Sequence, residues 1–259
     1  MKKIILITII VVVILALGIT TAILVRGRNN ANVIPEIEEE SNLIETPLEE
    51  RPHVALIPRA DGKEFTLEIS HFGNAETIEY ELVYLSQGLS RGVVGSVKVE
   101  GESFISRDLL LGTCSKSVCK YDEGVEEGTL TLRLRSEEGT RKFTAEFHLQ
   151  QGDDELTSLD ENFTFTGTIS KTAYYITMST IGLPKSLEGE VVAGPYGVFT
   201  SGSTLIKNGE VGFTLEDSTI EVDLYSWTGK AWEKEEITKE DGIISASVGN
   251  LSTFIVISP

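Results

Sequence analysis

Hydrophobic and polar positions follow three regimes along this chain. From Ile4 to Val25 they do not alternate at all: Ile4-Ile5-Leu6-Ile7-Thr8-Ile9-Ile10-Val11-Val12-Val13-Ile14-Leu15 and its continuation contain no charged side chain. A helix of that length rises roughly 30 Å, the thickness of the hydrocarbon core of a bilayer, so the run predicts a transmembrane helix. It is longer than the roughly 7 to 15 apolar residues of a signal peptide, and no Cys stands just behind it to take a lipid. Residues 1–28 therefore read as an uncleaved signal anchor, with cleavage between Ala16 and Ala22 as the alternative. Residues 29–52 show neither a two-residue nor a 3.6-residue apolar period. With Pro35, Pro47, Pro52 and the run Glu38-Glu39-Glu40, they read as an acidic flexible stalk.

From residue 53 onward the period is two. Phe65-Thr66-Leu67-Glu68-Ile69 and Ile78 to Tyr84 alternate apolar with polar, so each turns one face to a core. Thr129 to Arg135, the turn Ser136-Glu137-Glu138-Gly139 and Lys142 to Leu149 form the clearest hairpin, with Gly placed where a positive φ is wanted. Val93–Val99 and Phe104–Leu111 complete a first series over residues 53–150. A second, over 162–259, runs through Phe163–Thr166, Tyr174–Met178, Val191–Phe199, Val211–Leu215, Thr219–Tyr225, Ile243–Val248 and Phe254–Ile257. The acidic, non-periodic stretch 151–161 between them is the expected linker. No helical stripe longer than a turn or two follows the anchor, which excludes an α/β fold. The expectation is an all-β chain: a transmembrane helix, then two antiparallel β-sandwich domains of immunoglobulin-like or fibronectin-type-III-like architecture.

Charge sharpens this picture. The net charge is −18, and four of the 22 cations, Lys2, Lys3, Arg26 and Arg28, flank the anchor. With two on each side, the positive-inside rule votes only weakly for orientation. A surface this acidic repels phosphate backbones and anionic polymers, which excludes nucleic acid as a partner. Divalent cations and basic partners stay open, beside the plainer account of a solvated surface that resists aggregation.

The last forty or so residues carry a resemblance. Val222-Asp223-Leu224-Tyr225-Ser226-Trp227-Thr228-Gly229-Lys230-Ala231-Trp232, then Asp241 to Val248 and Ser252-Thr253-Phe254, resemble the ending of bacterial and archaeal cell-surface β-sandwich modules. Those modules combine a tyrosine-bearing strand, a Gly-Lys-Trp-like hairpin and a Ser-Thr-Phe closing strand. The resemblance implies a surface location and a sandwich fold, and no particular activity.

Candidate chemistry is sparse. Cys114 and Cys119 are the only cysteines, close together between two strand candidates. An oxidising compartment makes them a disulfide fixing a loop; free thiols and a redox pair are the alternatives. That reading puts the bulk of the chain outside the cytoplasm. A metal site would need further ligands and the chain has three His, so neither metal nor cofactor is expected. Acidic turns at Asp122-Glu123, Asp153-Asp154-Glu155 and Asp160-Glu161 read as solvated turns before calcium ligands. Tyr225, Trp227 and Trp232 around the Thr228-Gly229-Lys230 turn either pack the hairpin onto its sheet or present rings for ligand stacking.

Two function classes follow. One is a membrane-anchored extracytoplasmic binding, adhesion or spacer protein of the cell envelope, with an extracellular protein or a glycan as partner. The other is an anchored cysteine transpeptidase: Thr113-Cys114, His71 and Arg133 resemble the sortase set of thiolate nucleophile, acid and oxyanion donor. Cys119 argues against it, because in an oxidising compartment it would pair with Cys114 in a disulfide and remove the nucleophile.

Overall fold

The computed structural model describes residues 43–259 except Ser117, Asp153 and Ser218, so the expected anchor and the stalk up to residue 42 lie outside the described residues. Among the described residues no helix is long and apolar enough to cross a membrane. Ile44 to Pro259 forms one unit, all-β apart from a 3-10 turn at Leu48–Glu50. In chain order its strands are β1 (His53–Pro58), β2 (Glu64–Ser70), β3 (Thr77–Ser86), β4 (Leu89–Lys98), β5 (Phe104–Leu110), β6 (Gly112–Ser115), β7 (Val118–Tyr121), β8 (Glu127–Ser136), β9 (Gly139–Gln151) and β10 (Glu155–Thr157). They continue as β11 (Phe163–Thr168), β12 (Tyr174–Ser179), β13 (Glu190–Phe199), β14 (Leu205–Thr214), β15 (Asp223–Trp227), β16 (Trp232–Lys234), β17 (Ile237–Glu240), β18 (Ile243–Asn250) and β19 (Thr253–Ser258).

One long antiparallel sheet organises the molecule, in the order β16-β15-β19-β13-β12-β9-β8-β3-β4. A three-stranded sheet, β1-β2-β5, and a five-stranded sheet, β10-β11-β14-β18-β17, pack on it, and β6-β7 forms a separate hairpin. Alternation decides which face each residue takes. Phe65, Leu67 and Ile69 of β2 meet Leu130, Leu132 and Leu134 of β8 and Phe143, Ala145 and Phe147 of β9 in a first core. A second core joins Phe163 and Phe165 of β11 and Val211 and Phe213 of β14 to Phe254 and Val256 of β19.

Strand β12 is where the cores change sides. Ile176 and Met178 belong to the first core and Tyr175 to the second, so successive residues of one strand feed opposite faces of the long sheet. β12 pairs with β9 on one side and β13 on the other, which makes the ladder continuous between the two series of strands. Directly behind the first core, Gln150 and His148 of β9 and Thr177 of β12 hold β10: the Thr157 amide donates to Gln150 Oε1 at 3.0 Å, and His148 Nδ1 lies 2.8 Å from the Thr157 carbonyl. The stretch 151–161 thus contains a strand, pinned by polar side chains that the alternation of β9 turns away from the apolar core.

The start of the folded unit also precedes residue 53. The Ile44 amide donates to the Thr140 carbonyl, Thr46 is buried, and Leu48 packs beside Leu183, Ile255 and Ile257. Apolar residues at 44 and 48 within an acidic context carried too little periodicity to mark this. The expected strand Thr219–Tyr225 starts later, at Asp223, and ends at Trp227. The β3–β4 turn uses Gln87 and Gly88, both at positive φ, as does the β17–β18 turn at Asp241 and Gly242, the geometry of tight two-residue hairpins.

Candidate functional site

Cys114 and Cys119 face each other across the β6–β7 hairpin and are joined by a disulfide; both side chains are exposed. Cys114 in this state is no nucleophile. The other members of the transpeptidase set have partners of their own: Arg133 lies 3.6 Å from Glu81, and His71 is 3.2 Å from the Ser70 hydroxyl at the exposed end of β2. A reaction at Cys114 would first require reduction of the bond.

The three aromatic candidates separate. Tyr225 and Trp232 pack against Leu183, Ile255 and Ile257 on the long sheet, and the Trp232 indole N–H donates to the Lys185 carbonyl at 2.8 Å. Trp227 sits edge-on to Trp232, with centroids 5.4 Å apart and planes at 64°, so the rings form no flat platform. Trp227 instead lines a cleft of about 550 Å³.

Every sheet but the small hairpin contributes to this cleft. His53, Ala55 and Ile57 of β1 and Glu68 of β2 come from the outward face of the three-stranded sheet. Phe199, Ser226, Trp227 and Thr253 come from the long sheet, and Ser247 and Asn250 from β18. Glu233 and Glu235, on and just after β16, close one side, and no Lys or Arg is among the lining residues. The alternation that sends Phe65, Leu67 and Ile69 inward turns Glu68 outward, toward this space.

Electrostatics reflect the half-buried setting. Burial, reinforced by repulsion from His71, lowers the His53 pKa to about 4, so the imidazole is neutral; its Nε2 lies 3.5 Å from Thr253 Oγ1. Desolvation pushes the Glu68 carboxyl above its ordinary value. Glu235 accepts a hydrogen bond from the Ser226 hydroxyl. The cleft therefore offers an indole, a neutral imidazole, an amide, several hydroxyls and three carboxyls without a matching cation. Such a lining stacks against and hydrogen-bonds to a neutral or positively charged group and repels an anionic one.

The acidic turns are occupied by protein partners. Asp122 accepts the Tyr84 hydroxyl at 2.8 Å, Asp160 accepts those of Ser158 and Tyr196, and Asp154 pairs with Lys171. Burial foremost, then these carboxylates, raises the pKa of both tyrosines.

Sequence reasoning reached Trp227, but not His53, Glu68, Glu235 or Asn250 as its neighbours. The alternation of β2 shows that Glu68 points away from the core. Nothing local shows that the second series of strands lies over that outward face. No protein-family model matches the chain, and no match is found among the curated proteins either.

Proposed function

We propose that this chain is a membrane-anchored, extracytoplasmic binding protein of the cell envelope, in which two immunoglobulin-like layers present the cleft at Trp227 to a neutral glycan chain. The run Ile4–Val25 supplies the anchor in this reading, and the Cys114–Cys119 disulfide favours an oxidising compartment. The observation that carries the binding role is the cleft itself: one indole beside Asn250, Glu233 and Glu235, with no cation in the lining. Carboxylates and amides accept and donate to sugar hydroxyls, and an indole face covers the apolar side of a sugar ring. The acidity of the lining and of the whole chain argues against anionic wall polymers or nucleic acid as the ligand.

Trp227 and Trp232 are the only tryptophans, so intrinsic fluorescence reads this region directly. The full-length chain in detergent is titrated with neutral β-1,4-linked glucose and N-acetylglucosamine hexamers. A saturable change of tryptophan emission is expected, abolished in Trp227→Phe and retained in Trp232→Phe. A response only to basic peptides would replace the glycan by a protein partner. No response to either, or one that survives Trp227→Phe, removes the binding role. Protease added to intact cells checks location separately, and protection of residues 44–259 would overturn it.

A further inference from the structure

Strand β4 differs from every other free edge of the molecule. All ten of its residues, Leu89 to Lys98, pair with β3 in unbroken register, and among the described residues no strand pairs with its other side. A strand of that length exposes roughly 34 Å of unpaired backbone donors and acceptors, a template for a further strand. The remaining edges are guarded. β10 and β16 are three residues long and β17 four. β1 is covered by the Thr180 carbonyl, which accepts the Val54 amide. β5 is shorter, with seven residues against ten. β4 has no Pro and no bulge, and one apolar side chain, Val94, stands on its outer face among Ser90, Gly92, Ser96 and Lys98. Val94 is 74% exposed, and Val83 and Leu85 on neighbouring β3 are 37% and 47% exposed.

We propose that β4 pairs antiparallel with β4 of a second copy of this chain about a two-fold axis at Val94, joining the two long sheets into one. The side-chain register favours this occupant. Pairing centred on Val94 sets Val93 opposite Gly95, Gly92 opposite Ser96, Arg91 opposite Val97 and Ser90 opposite Lys98. No charged residue therefore meets another. β4 contains no acid, and its two cations, Arg91 and Lys98, each fall opposite an uncharged residue of the other copy, which limits the repulsion between the two edges. Two-fold pairing also places Val94 against its own counterpart at the centre of the seam. Gly95 suits the arrangement from the inside: a Cβ there would fall 2.2 Å from the Tyr80 hydroxyl oxygen, so this position keeps the strand flat over the first core.

The test compares two positions of matched exposure, Val94 at 74% and Leu205 at 75%, in the full-length chain. Under mild oxidation Val94→Cys is expected to form a covalent dimer at least tenfold faster than Leu205→Cys, because opposed strand residues lie within disulfide reach. Sedimentation of the unmodified chain is expected to show a monomer–dimer equilibrium that Val94→Lys shifts at least tenfold toward monomer and that added salt strengthens. Val94 is surface-exposed, and an unchanged circular dichroism spectrum certifies the fold of each variant. A chain that sediments as monomer up to about 100 µM, a Val94→Lys variant that dimerises undiminished, or equal cross-linking at Val94 and Leu205 each overturns the proposal.

Discussion

The two cores use the same layering and different packing chemistry. The first is dominated by aliphatic side chains from alternating strands, Leu56, Leu67, Ile69, Leu82, Leu109, Leu130, Leu132 and Leu134, with Phe65 and Phe147 in edge-to-face contact. The second is built around rings: Phe163 meets Tyr196, Phe213 and Phe254 at centroid distances of 5.2, 5.2 and 5.9 Å. An aliphatic core spreads its stabilisation over many similar contacts, whereas a ring cluster concentrates it in a few, with geometry-dependent gains of about 1 kcal/mol per pair beyond area. Each core also ties one tyrosine to an aspartate at its rim, Tyr84 to Asp122 and Tyr196 to Asp160.

That contrast can be broken or sharpened by measurement. Phe163→Ala is expected to cost about 4 kcal/mol and Leu132→Ala about 3 kcal/mol, read from urea unfolding followed by circular dichroism. Because both cores lean on the same sheet, each substitution is expected to move one common transition, including the part reported by the tryptophans of the second region. A tryptophan signal that stays in place in Leu132→Ala would show the cores to be independent.

A smaller effect comes from His53. Its folded-state pKa of about 4 lies below the ordinary imidazole value, so the unfolded chain takes up the proton first as the medium is acidified. The stabilisation is complete above about pH 6.5 and is lost as pH falls from there toward about 4, to the extent of roughly 2 kcal/mol. His53→Gln should flatten that part of the stability profile. Tyr196→Phe and Tyr84→Phe should each cost about 1 kcal/mol, and a large difference between them would show which rim holds its core more tightly. Replacing both Cys114 and Cys119 by Ser should cost about 1 kcal/mol or less, because the enclosed loop is short and its hairpin is exposed.

Much of the β architecture was legible because burial and period two coincide. β2, β8 and β9 alternate cleanly, and the turn ending in Gly139 joins β8 to β9 as expected, with φ at +136°. Two of the small strands escaped notice. β10 and β17 are three and four residues long, below the length at which alternation is distinguishable from chance, whereas β16, as short, was marked by the Thr228-Gly229-Lys230 turn that pairs it with β15. β1 was hidden for another reason: Val54-Ala55-Leu56 is buried on both faces, so its pattern does not alternate. The cysteine pair was readable from its close spacing taken with the expected oxidising compartment. The cleft was not, since its residues come from β1, β2, β13, β15 and β18 and meet only through non-local pairing. Tyr225 and Trp232 look equivalent to Trp227 along the chain. Only the position of Leu183 and Ile257 decides which rings are covered.

The way β12 serves both faces has a consequence for inheritance. Cutting the gene between β9 and β12 would yield two fragments, each with a raw flank where its neighbour's ladder had been, and the first would also lack Ile176 and Met178 from its interior. Halves joined in this way are expected to fold only together and so to be inherited together, which separate expression of the two fragments checks.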